Sequence, residues 1–342
     1  AYLGSASADT GYTVELTPDI TLATGASAFT GAFGDGYIWR FTVSTELDLT
    51  PPQIQSVIPL ADSTVARNIL IQVNFNEAVD PTQASGFYPG VPPIPNFANL
   101  SARDSADAII GGAWTAVNQS LTSEFVSNNA CGINSCGETI YCLPSNEDIS
   151  VTVVAATVGS EAPAATLPYN GVVDMAGNSL DGNGDGTATG PVTDSYAWGF
   201  STTNDIELDP PVVTAMTPSI TPGNPAQNID FDQPIRLTFD SLLSLATMNA
   251  DNILLRTPSG SLWYTFEAAI LNPTANPVHQ VTVGHGIFSA NILYGLETDS
   301  GLRSVYQNCF TPSRTTSCVG TGANCCNDQA QAAQCVYPDF TL

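Results

Sequence analysis

Tyr37-Ile-Trp-Arg-Phe41, followed by Glu46-Leu-Asp48-Leu-Thr-Pro51-Pro52, recurs 159 residues later as Tyr196-Ala-Trp-Gly-Phe200 followed by Asp205-Ile-Glu207-Leu-Asp-Pro210-Pro211. The match needs no gap and runs on through Gln53-Ile-Gln-Ser-Val-Ile-Pro59 and Val212-Val-Thr-Ala-Met-Thr-Pro218. In each copy three aromatic residues take alternate positions, so they share one face of a strand. An apolar face of that size belongs on a core. The double proline then stops the strand, because proline has no N–H for a ladder and holds the preceding residue extended. Each copy reads as the last strand of a β-sandwich running into a stiff linker.

Working outward, Ile71-Gln-Val-Asn-Phe75 returns as Ile235-Arg-Leu-Thr-Phe239, now 164 residues on, so the second copy carries a five-residue insertion. A third echo pairs Gly171-Val-Val-Asp-Met-Ala-Gly-Asn178 with Gly301-Leu-Arg-Ser-Val-Tyr-Gln-Asn308. Repeats of this length are whole domains rather than solenoid units. Ile149–Val153, Ile253–Leu255, Trp263–Phe266 and Val278–Val283 supply further strands, separated by Pro- and Gly-rich loops such as Tyr88–Phe97. The expected division is 1–48, the closing strands of an incomplete domain; 49–205, a complete one; and 206–342, a second with a cysteine-rich tail.

These blocks resemble the bacterial immunoglobulin-like domain of S-layer and other surface proteins. The likeness rests on the Pro-Pro start, an apolar triplet and Pro59 or Pro218. It continues with a strand ending in Phe75-Asn-Glu-Ala-Val-Asp80, a late Asp174-Met-Ala-Gly-Asn178 turn and a closing aromatic strand. It covers nearly all of 49–205. From 206 it weakens: Phe239-Asp-Ser-Leu-Leu departs from the Asn-Glu-Ala-Val form. The closing strand there is replaced by a cysteine-rich tail ending Tyr337-Pro-Asp-Phe340. The resemblance implies tandem immunoglobulin-like β-sandwiches of about seven strands, used as spacer, scaffold or adhesive module. It brings no catalytic residues with it, and no enzyme activity is expected.

Composition agrees. Only 11% of the 342 residues are charged, against about a quarter in an ordinary domain. Thr, Ser, Asn, Gly and Pro, the residues of strands and turns, replace them. The fold class is all-β. Thirty-two acids against seven arginines, with no lysine, give a net charge of −25. That surface repels nucleic acid and anionic membranes and suits an extracellular or cell-surface protein, a high-salt habitat or a chain that binds Ca²⁺. No apolar run approaches the ~18 residues of a membrane span, so direct membrane insertion is not expected. Any export signal or anchor is expected to have been removed or to lie outside these residues.

The eight cysteines form two clusters: Cys131, Cys136 and Cys142, then Cys309, Cys318, Cys325, Cys326 and Cys335. No spacing among them reads as a zinc or haem site. Polar loop surroundings make them disulfide staples in an oxidising compartment. Three plus five leaves two alternatives. Pairing within clusters strands an odd cysteine in each and is the expectation; otherwise an odd number of bridges links the clusters.

Candidate sites are few. Asp181-Gly-Asn183-Gly-Asp185-Gly186-Thr187 puts oxygen side chains at alternate positions, as in the first half of an EF-hand loop, and can wrap Ca²⁺. No glutamate follows at the twelfth position, so Asp194 or Asp174 would complete the shell; the alternative is an ion-free turn. The linker acids Glu46/Asp48 and Asp205/Glu207 lie two residues apart, hence on one side of an extended chain. There they either clamp Ca²⁺ or keep the linker solvated. His279 and His285 share a strand face about 20 Å apart, too far for one metal. Asp104 and Asp107 belong to a solvated loop. Trp114 and Trp263 can stack on a sugar or pack in a core.

Residues 1–48 hold Tyr12-Thr-Val-Glu-Leu16 and the Tyr37–Phe41 strand, which match only the end of a domain. Two strands cannot hold a sandwich core. The missing ones come from an adjacent domain of a longer array or from another copy by strand complementation. The leading reading is therefore a structural surface protein forming a fibre, filament or scaffold. An adhesin gripping surface glycan and an accessory region of a secreted hydrolase are the alternatives.

Overall fold

The computed structural model describes residues 5, 7–22, 24–29, 34–89, 97–134, 136–218, 228–256, 264–273, 276–310, 335–336 and 340–341. Its regular secondary structure is nearly all strand. β1 (Thr10–Leu16) and β2 (Tyr37–Val43) make an isolated antiparallel pair. The next strands are β3 (Ile54–Ile58), β4 (Thr64–Val65), β5 (Ile71–Phe75), β6 (Gly86–Tyr88), β7 (Leu100–Arg103), β8 (Gly112–Val117) and β9 (Thr122–Ser127). After a small ribbon of β10 (Ala130–Ile133) and β11 (Thr139–Tyr141) come β12 (Asp148–Val153) and β13 (Tyr196–Thr202). They build two sheets, β3-β5-β9-β8-β6 and β4-β13-β12-β7. Alternation explains the layering: Ile71, Val73 and Phe75 from one sheet meet Ile149, Val151, Val153, Trp198 and Phe200 from the other, all buried in one core.

A second sandwich follows: β14 (Val213–Thr217), β15 (Ile235–Phe239), β16 (Ile253–Arg256), β17 (Tyr264–Leu271), β18 (Val278–His285) and β19 (Leu293–Thr298). One sheet runs β14-β15-β18-β17 and the other pairs β16 with β19. Their core gathers Ile235, Leu237, Phe239, Val281, Val283 and Leu296. Two short strands, β20 (Cys335–Val336) and β21 (Phe340–Thr341), lie along β19. The tail was expected to replace the closing strand. Instead it supplies that strand in two pieces, one residue out of register with each other, where β12 has the single strand β13.

Two isolated bridges recur at positions that the sequence echoes match. Val79 bridges Asp174 as Leu243 bridges Ser304, and Val173 bridges Ser179 as Arg303 bridges Cys309. The amino-terminal pair repeats β12–β13 in the same register: Tyr12, Val14 and Leu16 face Phe41, Trp39 and Tyr37, as Ile149, Val151 and Val153 face Phe200, Trp198 and Tyr196. Surroundings differ, however. Trp198 is 6% exposed and donates from Nε1 to the Pro59 carbonyl, whereas Trp39 is 38% exposed. β13 also has β4 along its outer edge, where Thr64 and Val65 pair with Ser201 and Thr202.

β17 is an edge strand whose backbone is met by side chains. Gln119 Nε2 donates to the Phe266 carbonyl (2.8 Å), and the Ala268 N–H donates to Asn118 Oδ1 (3.3 Å). Asn118 and Gln119 reach it from a left-handed turn in which Asn118, Gln119 and Ser120 have φ of 51°, 56° and 66°. Disulfides join Cys131 to Cys142 and Cys136 to Cys309. One bridge therefore crosses between clusters, and no odd cysteine remains in the first, contrary to the expectation. Cys318, Cys325 and Cys326 lie outside the described residues.

Candidate functional site at the proline junctions

Each proline linker is gripped by an asparagine from a late turn, and the second also by Asn68, whose Nδ2 donates to the Glu207 carbonyl at 2.7 Å and whose Oδ1 accepts from the Glu207 N–H at 2.9 Å. In the turn Asp174–Asn178, Asp174 Oδ1 accepts from the backbone N–H groups of Ala176 and Asn178, both at 2.8 Å, and Gly177 turns the chain at φ 89°. This Asx-type wrapping is what a short acid at the head of a tight turn does. It aims the buried Asn178 side chain at the linker. Asn178 Nδ2 donates to Asp174 Oδ2 (2.7 Å) and to the carbonyls of Asp48 (3.1 Å) and Thr50 (3.4 Å). At the second linker, Ser304 Oγ accepts from the N–H groups of Tyr306 and Asn308, and Asn308 Nδ2 donates to the Glu207 carbonyl and to Glu207 Oε2, both at 3.1 Å.

Among the described residues, three carboxylates come within reach of one cation at the first junction. Oxygens of Asp48, Glu77 and Asp174 lie within 4.8 Å of one another. Two ligands of one Ca²⁺ sit at most about 5 Å apart, twice its ~2.3–2.6 Å bond, so one cation can touch all three. Glu77 Oε1 is shielded from solvent and accepts no hydrogen bond. Burial first, then the charges of Asp174 and Asp48, push the Glu77 carboxyl up to about 6. Burial also raises Asp174, against the hydrogen bonds from Asn178, Ala176 and Gly177 that hold it down. A divalent cation would relieve both.

The neighbouring loop, read from sequence as either a Ca²⁺ wrap or an ion-free turn, has its oxygens hydrogen-bonded within the chain. Asp181 Oδ1 accepts from the N–H groups of Gly184 and Asp185, and Oδ2 from Gly186 N–H and Gln53 Nε2. Asn183 Oδ1 accepts from Asp185 N–H, and Asp185 Oδ1 from Thr187 N–H. Asp194 Oδ2 accepts from Gly190 N–H and Thr189 Oγ1 (2.9 and 3.0 Å). The loop is stapled by its own amides. Of the linker acids, Glu46 and Asp205 are exposed, Asp48 joins the cluster, and Glu207 is held by Asn308. Glu77 and Asp174 stood in the quoted motifs without being joined to Asp48. The clue was their replacement by Ser241 and Ser304 in the repeat.

The remaining candidates separate. His279 is buried, its Nδ1 accepts from Leu243 N–H at 2.8 Å, and burial lowers it to about 3. His285 stacks on Phe288. Trp114 is fully buried against Phe125, so it packs the core rather than offering a sugar platform. Trp263 lies outside the described residues. Asp104 folds its own loop by accepting from Ala106 and Ala108, and Asp107 pairs with Arg103 at the surface.

No family model matches the chain, and no curated protein matches it. Among solved structures, it is similar to the N-terminal part of the bacterial S-layer protein SbsC at 13% identity and a TM-score of 0.23, over 72% of this chain and 40% of that one. SbsC domains 1–6 give 10% identity and a TM-score of 0.18, over 73% and 53% of the two chains. The longer SbsC structure gives 10% and 0.18, over 80% and 55%. The alignments thus span about half the length of the solved chains, and at these scores they assign no residue and no role.

Proposed function

We propose that the chain is an extracellular, cell-surface structural protein, built from tandem immunoglobulin-like sandwiches. The divisions are 1–48, 49–205 and 206–342, and it works as part of a fibre or scaffold. The observation that carries this reading is the duplicated linker grip, in which Asn178 and Asn308 hold the carbonyls of Asp48 and Glu207. A chain that repeats its joints as well as its sandwiches is spacing things apart.

The amino-terminal pair supplies the partner side of the proposal. β1–β2 carries the aromatic face of a closing hairpin, with Phe41 37% exposed where Phe200 is 3% exposed. Counterparts of β3 to β9, from an adjacent domain or another copy, would cover it. Electron microscopy of the purified chain and of native material tests this. Fibres or sheets that vanish on deletion of residues 1–43, which removes β1 and β2 but keeps Asp48, with the unfolding of the remainder unchanged, are the expected result. Dispersed single particles from both sources would sink it.

A second element is calcium at the first junction, favoured by the unpartnered Glu77 Oε1 between Asp48 and Asp174. Ca²⁺ there would tie the first linker to its sandwich. Calorimetric titration of the whole chain, repeated with Glu77→Gln, tests it: heat in the first and none in the second is expected, while equal heat in both places any ion elsewhere.

A further inference from the structure

Alternate residues of a surface strand face water, and β15 obeys: Arg236 is exposed and Thr238 half-buried between the buried Ile235, Leu237 and Phe239. β5 does not. All five of its residues are buried, Gln72 completely, and beside it Thr122, Ser123, Glu124 and Phe125 of β9 are buried too. Polar residues on the outer face of a sheet stay out of water only if something polar covers them.

The cover is the second sandwich. Glu124, 1% exposed, accepts from Ser244 Oγ (2.7 Å) on Oε1 and from Leu245 N–H (2.9 Å) on Oε2. Gln72, opposite it in register, donates from Nε2 to Glu124 Oε2 (2.8 Å) and to the Leu243 carbonyl (2.9 Å). Leu243 N–H then donates to His279 Nδ1. A continuous buried chain of hydrogen bonds therefore runs from β9 and β5 into the segment after β15 and on to β18. Independent contacts flank it. Asn68 Nδ2 donates to the carbonyls of Glu207 and Tyr306, Gln307 Nε2 donates back to those of Asn68 and Tyr141, and the Cys136–Cys309 bridge lies nearby in sequence.

We infer that the two sandwiches are one locked unit with Glu124 as its bolt, and that Pro210-Pro211 is a strut inside that unit rather than a hinge. Parting the sandwiches would break together the three hydrogen bonds that cross from Gln72 and Glu124 to Leu243, Ser244 and Leu245 and open a buried face to water. The lock also points one way. In the repeat, Gln72 and Glu124 are matched by Arg236 and Thr282, facing each other in β15 and β18. That face cannot give the same grip to another Leu243–Leu245 segment. The inference holds whether or not the protein serves a surface scaffold.

Native-state hydrogen exchange on the whole, disulfide-intact chain tests it. The Leu245 amide should exchange as slowly as the amides of β18. In Glu124→Gln its protection should fall about ten-fold, the equivalent of one buried hydrogen bond, while β18 amides change less than about two-fold. Fast Leu245 exchange in the unaltered chain, or unchanged protection in the variant, would overturn the lock. Should Glu124→Gln fail to fold, Ser244→Ala removes a single donor and is read by the same ratio. Denaturant unfolding adds an independent arm: one transition is expected for the unaltered chain, and two resolved transitions would show the units to be free.

Discussion

The two linker junctions are built on the same frame and differ in charge. Both carry an asparagine that grips the incoming chain and a turn whose first residue accepts two backbone N–H groups. Where the first has Asp48, Glu77 and Asp174, the second has Glu207, Ser241 and Ser304. Ser304 does the turn-capping work of Asp174 without its charge, which shows that the fold needs an oxygen acceptor there, not a carboxylate. Three acids in one place are then a feature added to the frame and not required by it. At the corresponding position Glu77 Oε1 and Ser241 Oγ are both buried without a hydrogen-bond partner. A hydroxyl left so is a modest cost; a carboxylate left so asks for a cation.

The largest effect should come from removing what the junctions share. Asn178→Ala and Asn308→Ala should each lower stability by about 1–3 kcal/mol in denaturant melts, because each removes two or three hydrogen bonds made by a buried amide. A negligible loss at one of them would mean that the frames are not equivalent. Next comes what they do not share. Calcium at ~30-fold excess over its dissociation constant should stabilise the chain by about 2 kcal/mol. Glu77→Gln or Asp174→Asn should abolish that gain, and the pair Ser241→Glu with Ser304→Asp should create a second calcium response. No response in the grafted chain would show that Asp48 and Glu207 are not interchangeable.

A smaller effect concerns pH without divalent ions. Glu77 is raised above its unfolded value of 4.5 to about 6, so folding favours its protonated form. That contribution is complete below pH 4.5 and is lost as pH rises through about 6. After discounting for partial exposure it amounts to about 1 kcal/mol. Glu77→Gln should flatten this part of the stability–pH curve, and an unchanged slope would assign it to another group. The smallest effect is at Ser241→Ala, which removes an unsatisfied hydroxyl and should be neutral or stabilising by about 0.5 kcal/mol in the same melts.

Much of the fold was legible because it rests on local pattern. The aromatic alternation of Tyr196-Ala-Trp-Gly-Phe200 and the three echoes each correspond to an observed strand or bridge, whereas β13 ends at Thr202, eight residues before the Pro210 expected to stop it. What could not be read depended on residues distant in sequence. Nothing near Glu124 announces that Ser244 and Leu245 will cover it, and its place in Thr-Ser-Glu-Phe-Val-Ser looks like an ordinary outward charge. The Asp181–Thr187 loop could be read either way for a related reason. Alternating oxygens and glycines serve an ion or the loop's own amides equally well, and only the three-dimensional direction of the carboxylates separates the two. Trp39 and Trp198, alike in sequence, differ in burial because burial belongs to the strands around them.

The left-handed turn at Asn118–Ser120 has a bearing on solubility. An eight-residue edge such as β17 is the sort of border along which chains add to one another without limit. With an amide from Gln119 on the Phe266 carbonyl and an acceptor from Asn118 on the Ala268 N–H, that border is already occupied in its middle. Uncontrolled lateral stacking is blocked there by two side chains of the same molecule, which leaves any ordered assembly to proceed from other borders.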